Sequence, residues 1–295
     1  MRIVIDSNRM RSDELQIFLS LSSNNKAVLT EYAAMEAFKG DTLKSIQASW
    51  SVLRQFPKQV IVLKGTRETG MIAPEAAGMA NRMILQSETK GIEKFVGLLD
   101  LAAAGNRSIQ RQLLQRGKWA DDHMANMLNK ADKMDISITE FSDVFTEAEL
   151  GRIRREDTWT QEMIDKFLDL TTHLTEHSFS QHPDKPRWPK GAKHLVNHFL
   201  FRHTLTYLIY MLRLIQRGAK NRKPNKARND AIDVIFASYA TYFNGLMSMD
   251  DEASAIHAIS RGLLLQAGAR VPEDYLEKYV EEIAAQMPDL SSGPT

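Results

Sequence analysis

Three short β-branched runs fall early in the chain: RIVID (2–6), KAVLT (26–30) and QVIVL (59–63). Helical periodicity fills the gaps between them. Asp13 to Leu21 is apolar at helical spacing behind a capping Ser12, and EYAAMEAFKG (31–40) opens a second helical stretch that continues to Phe56, where Pro57 breaks it. A strand that returns only after a helix has crossed over its predecessor, and such crossovers make parallel pairs. The spacing therefore predicts an α/β layer built on a mostly parallel sheet.

Beyond Gly65 the pattern changes. Residues 67–222 read as helix almost throughout, with breaks expected near Gly70–Pro74, Gly105, Gly117, Met134–Thr139 and Ser178–Gly191. The last of these, SFSQHPDKPRWPKG, carries Pro183, Pro186 and Pro189 and reads as a loop. A long helix from Lys193 to Arg217 follows it. Strand and helix signals then alternate again: an almost wholly apolar helix at Asp230–Phe243, a short strand GLMSM (245–249), a helix from Asp250 to Gln266, a short strand ARV (269–271) and a helix from Pro272 to Gln286. The domain organisation expected is one α/β unit made of 1–66 and 223–286, interrupted by a helical insertion at 67–222 and closed by a flexible tail at 287–295.

Charge and composition exclude more than they specify. The chain has no cysteine, so disulfide frameworks and thiolate metal sites are excluded. Its start carries Asp6 and lacks the long apolar core of a secretory signal. The most apolar helical run, Leu205 to Ile215, is far short of the roughly 20 residues a membrane span needs. A cytoplasmic protein without membrane attachment is expected. Net charge is +1 and selects no partner, but Arg217, Lys220, Arg222, Lys223, Lys226 and Arg228 lie together in an acid-free run just before Asp230.

Acids recur at the ends of the predicted elements. Asp6 follows the first strand, Glu31 and Glu36 belong to the helix after the second, Asp230 and Asp233 to the helix before the fourth, and Asp250 and Asp251 follow that strand. In open parallel sheets ligands bind beyond the carboxyl ends of strands. Carboxylates gathered there repel one another unless a cation neutralises them, and an all-oxygen set suits Mg²⁺ or Mn²⁺, with an open position for a phosphodiester. Each acid also has a structural reading. Asp230 and Asp233 fit an N-cap and its N3 acid, and Glu31, Asp250 or Asp251 fit caps of their own helices.

These residues resemble the PIN-domain ribonucleases. That family has an hhhhD[ST]N start, and this chain reads RIVIDSN with Asp6, Ser7 and Asn8. The family's second block, a strand ending in Ser or Thr and a helix carrying a Glu soon followed by Gly, is matched by VLTEYAAMEAFKG, which selects Glu36 over Glu31. NDAIDVIFASYATYFNGLMSMDD matches the third and fourth blocks with Asp233, Ser248 and Asp250, and RVPEDYL resembles the closing strand and helix. The resemblance covers 1–64 and 225–280 and departs from the family in the long stretch between the second and third acids. It implies a PIN-like parallel-sheet domain with helices on both faces, interrupted by the helical insertion.

The implied activity is metal-dependent hydrolysis of phosphodiesters, most often in single-stranded RNA, by a toxin or defence-type endonuclease. The implied ligands of Mg²⁺ or Mn²⁺ are Asp6, Glu36, Asp233 and Asp250, supported by Asn8, Ser248, Asp230 and Asp251. The basic run 217–228 is then a phosphate-holding segment, the insertion a surface for an antitoxin or other protein partner, and the chain a homodimer. Asp230 keeps its reading as a helix cap.

Two other readings share these residues. The α/β part suits a catalytically inactive nucleic-acid-binding module, with the insertion as a protein scaffold. HLTEH (173–177) matches the H-x-x-E-H pattern of inverted zinc peptidases, with His173 and His177 on one helix face and no third ligand in view. His194, His198 and His203, and the aromatic stripe Phe199, Phe201, Tyr207 and Tyr210, are expected in the core or at a dimer interface before a base-stacking surface.

Overall fold

The computed structural model describes residues 1–131, 138–218 and 224–275. Its centre is a four-stranded, all-parallel sheet in the order β3-β2-β1-β4. The strands are β1 (Arg2–Ile5), β2 (Lys26–Leu29), β3 (Val60–Val62) and β4 (Leu246–Met247). Register pairs Val4 with Val28 on one side and with Leu246 on the other. The chain therefore steps outward from β1 to β2 to β3, then returns to place β4 on the opposite flank of β1.

Both faces of the sheet are covered, as the unbroken β-branched runs require. Alternate residues point to opposite sides. Ile3, Ile5, Ala27, Leu29 and Met247 enter one cluster with α1 (Asp13–Leu21), α3 (Thr42–Ser49) and α6 (Gln86–Ala103). Val4, Val28, Ile61 and Leu246 enter the other with α2 (Glu31–Glu36), α7 (Arg107–Ala131) and α13 (Pro224–Ala240). Short helices α4 (Thr66–Gly70) and α5 (Met79–Arg82) connect β3 to α6.

A third cluster joins α8 (Ile138–Ser142), α9 (Glu147–Arg154), α10 (Gln161–Gln181), α11 (Ala192–Leu195) and α12 (Phe199–Gln216) to α13 and α14 (Asp251–Gln266). Helix α13 explains its own composition. Ile232, Ile235 and Phe236 face the sheet cluster while Val234 and Ala237 face the helical one, so almost no side is left for water. Helix α12 is buried on nearly every side; Phe199, Phe201 and Tyr210 are core residues, and His198 and His203 are held neutral by burial, each pushed down to about 4.

Several boundaries differ from the sequence reading. The helical stretch expected from 31 to 56 is two helices, because α2 ends at Glu36 and Asp41 caps α3 after a turn in which Gly40 has φ +89°. Gly117 breaks nothing: α7 runs straight through it, and a Cβ there would lie 2.6 Å from Thr42 Cγ2, so the missing side chain is what lets α7 close on α3. His198 caps α12 and divides the expected 193–217 helix. Residues 269–271 form no strand; Arg270 instead offers its carbonyl to Arg202. The expected break at 134–139 falls largely, and the helix to Gln286 beyond Tyr275 with the tail 287–295 wholly, outside the described residues.

Candidate metal and phosphodiester site

The gap between β1 and β4 is where the chain reverses its direction of travel across the sheet. At such a switch point the loops leaving the two strands diverge and open a crevice at their carboxyl ends. Asp6 leaves β1 there, and Ser248 and Asp250 leave β4.

Asp6 is only 4% exposed and its carboxylate is held from three directions. Ser248 Oγ donates to Oδ2 at 2.6 Å, Asn8 Nδ2 donates to the same oxygen at 2.6 Å, and Ser7 Oγ lies 3.2 Å from Oδ1. Ser7 also donates to Glu36 Oε2 at 2.6 Å, which ties the end of β1 to the last turn of α2. Asn8 spans the crevice, because its side-chain Oδ1 accepts from the Met249 N–H at 3.0 Å. Asp250 Oδ1 accepts from the Glu252 and Ala253 N–H groups, so this acid is the cap of α14 as well as a wall of the crevice.

Asp233 projects from the middle of α13. Burial raises its carboxyl to about 8, and the negative charges of Asp250, Asp6, Asp230 and Glu36 add to the rise. Helix α13 starts at Pro224, so Asp230 lies well inside it and is not the cap the sequence suggested. The capping signal misled because the helix already begins within the basic run. Asp230 instead accepts from the Tyr210 hydroxyl at 2.7 Å, a contact from α12 that no local pattern announces.

The two acids of α2 separate in the same way. Glu36 joins Ser7 and Asp6, whereas Glu31 accepts from the Thr66 N–H at 3.3 Å and sits against Gly65, where a Cβ would meet its Oε2 at 2.8 Å. Asp251 is exposed in the first turn of α14. Arg217 is paired with Glu252, which Arg213 also grips through Nε and Nη2 at 3.2 Å each. Lys220, Arg222 and Lys223 lie outside the described residues, and Lys226 and Arg228 belong to α13 with side chains that are not described. His173, Glu176 and His177 lie on the exposed side of α10.

The donor set is all oxygen, and burial, with repulsion from the surrounding carboxylates added to it, leaves Asp233 holding a proton at neutral pH. In type and in charge these residues fit a hard divalent cation, which would take that proton's place. Their spacing is wider than ligation: among the described residues no group of three His, Asp or Glu side chains is gathered closely enough to hold one ion. Among the same residues no helix is long and apolar enough to cross a membrane. No family model, curated protein or solved structure matches the chain.

Proposed function

We propose that the chain is a PIN-like, Mg²⁺- or Mn²⁺-dependent endonuclease acting on single-stranded RNA. The observation that carries the reading is the buried Asp6 carboxylate at the β1–β4 switch point, held by Ser248 and Asn8 and tied through Ser7 to Glu36, with Asp233 raised to about 8 by burial and by the surrounding charges. Folding acids against one another in a crevice destabilises the chain unless the arrangement serves a charge brought from outside. The four-motif resemblance supplies the identity of that charge.

Asp6, Glu36, Asp233 and Asp250 are the residues that would hold the cation. When bound it would supply a Lewis acid for the phosphodiester and a water of lowered pKa. The remaining groups orient the carboxylates. Ser248 and Asn8 fix Asp6 by its Oδ2, Ser7 couples Asp6 to Glu36, and Tyr210 fixes Asp230 beside Asp233. Partners follow from the same reading: an RNA strand along the crevice and, for a toxin or defence-type nuclease, an antitoxin on the helical layer.

The test compares wild type with Asp6→Asn and Asp233→Asn on single-stranded RNA and DNA, with Mg²⁺, Mn²⁺ or chelator. Cleavage that needs the metal and is lost in both variants is the expected result. Cleavage that survives both substitutions, or persists in chelator, sinks the mechanism. RNA binding without any cleavage by wild type would leave the inactive-module reading in its place.

A further inference from the structure

Helix α7 packs against α2, which carries Glu36, and against α13, which carries Asp233. Its inward face is Leu113, Gly117, Ala120 and Met124. One flank of the same helix shows a different pattern. Arg116, Trp119 and His123 recur at i, i+3 and i+7, so they stand in one row along the helix. Trp119 is 63% exposed, the same figure as Met249 and the highest among the exposed large apolar residues. Its ring lies 5.4 Å from that of His123, at an interplanar angle of 31°. Arg116 is exposed, with its guanidinium 5.8 Å from the centre of the Phe95 ring.

The row runs beside the helix that carries Glu36. Ala120 and Met124 of α7 share a core cluster with Tyr32, Ala33 and Met35 of α2. Glu31 and Glu36 are the two ends of α2, about 7.5 Å apart along the axis at 1.5 Å per residue. A strand lying across the acids therefore reaches Trp119 within a few nucleotides.

We propose that Arg116, Trp119 and His123 form a binding subsite for single-stranded nucleic acid, in which Trp119 stacks on a base flanking the phosphodiester at the acids and Arg116 meets the backbone. The proposal rests on the nuclease reading for the position of the strand, but not for the chemistry of the subsite. Exposed aromatic rings beside cations are what sequence-tolerant strand binding requires. The positive charge lies on the Arg116 side of Trp119: Arg107, Arg111, Arg116 and Lys118 occupy the first half of α7 with no acid among residues 107–120, and the exposed Asp121 and Asp122 follow before His123. A protein partner would ask for a continuous apolar patch. Among the described residues the other large apolar side chain exposed on the helix, Leu114, is turned away from Trp119 by roughly 140° at 100° per residue, so the two do not form one.

The experiment measures anisotropy of labelled single-stranded oligo(A) and oligo(U) RNA in chelator, with wild type, Trp119→Ala, Trp119→Tyr and Leu114→Ala. Intrinsic tryptophan quenching by unlabelled RNA and the mass in solution are read alongside. Trp119→Ala is expected to weaken binding by roughly 5- to 100-fold, the range for loss of one stacked base. Trp119→Tyr should recover most of it and Leu114→Ala should change nothing. Quenching should fall sharply with Trp119→Tyr, since Trp50 is buried, Trp159 is half-buried and Trp188, at 39%, is less exposed than Trp119. Equal affinity for Trp119→Ala and wild type, no RNA binding by wild type, quenching undiminished in Trp119→Tyr, or a change of oligomeric mass in Trp119→Ala would each overturn the proposal. Binding with this pattern but without cleavage in Mg²⁺ or Mn²⁺ would remove the nuclease reading and leave the subsite standing.

Discussion

Ser248 and Asp6 are 242 positions apart in sequence and share a hydrogen bond of 2.6 Å. The bond joins the carboxyl ends of β4 and β1, and it acts on the oxygen that Asn8 also holds. Groups that orient a ligating carboxylate typically carry 10- to 100-fold of metal affinity or activity. Ser248→Ala is expected to reduce metal-dependent RNA cleavage by about that range while Ser248→Thr, which keeps the hydroxyl, stays near wild type. Unchanged rates for Ser248→Ala would remove the hydroxyl from the site.

Asp233 makes stability depend on pH in a direction opposite to most carboxylates. Its folded value of about 8 stands above the ordinary 3.8, so between those values the folded chain holds a proton that the unfolded chain releases. Stability from this group is fully present below pH 3.8 and is lost as pH rises through 8. Asp233→Asn removes the ionisable group and is expected to stabilise the fold at pH 8 by an amount on the order of a few kcal/mol, read as a higher melting temperature. The same variant near pH 4, where most of that stability is still present, should differ little from wild type. Thermal unfolding at the two pH values, in chelator, decides the matter.

Gly117 and Thr42 touch where α7 crosses α3. Gly117→Ala would push a methyl into Thr42 Cγ2 and Oγ1, at 2.6 and 2.8 Å, and should cost about 1–3 kcal/mol. Thr42→Ala removes both obstructing atoms, so the double variant should recover a large part of that loss. Urea unfolding of the four-member cycle measures the coupling, and simple additivity would mean that the contact does not limit the helix crossing.

Arg202 is fully buried and its hydrogen-bond partners are neutral oxygens: the carbonyls of Val196, Thr241 and Arg270, the side chain of Asn197 and the Thr241 hydroxyl. Its guanidinium lies 4.0 Å from the centre of the Tyr242 ring. The side chain ties α12 to the end of α13 and to the segment after α14. Arg202→Met keeps the bulk but strands several acceptors, and should cost about 3 kcal/mol or more. Arg202→Lys should fare little better, since a single ammonium cannot span the fork. A urea midpoint unchanged in both variants would contradict this account.

The sheet was legible because its strands are short, β-branched and separated by helices; Ser12 stands at the cap its sequence context predicts, and Thr30, read as the end of a strand, caps α2. Asp6 and Asp250 were legible as element-end acids, whereas Glu36 was separated from Glu31 only by the family resemblance. The reasons for failure elsewhere are specific. Gly117 reads as a break when only its own helix is considered, and the deciding neighbour is Thr42. Asp230 reads as a cap because it precedes an apolar run, while the helix had already formed from residues that carry no apolar signal. Trp119 and its row were missed in a segment read only for helicity, although R-x-x-W-x-x-x-H spacing on an amphipathic helix was there to be found.

The sheet order has a consequence for synthesis. Because β1 finds its β4 neighbour only 242 residues later, the crevice between them cannot exist on a partly made chain. At 5–20 residues per second, roughly 10–50 s separate the emergence of Asp6 from that of Ser248. Throughout that interval the nascent chain carries Asp6 and Glu36 without Asp233, Asp250 or the β4 wall of the crevice. Splitting the carboxylates between distant strands makes the crevice a product of the finished polypeptide.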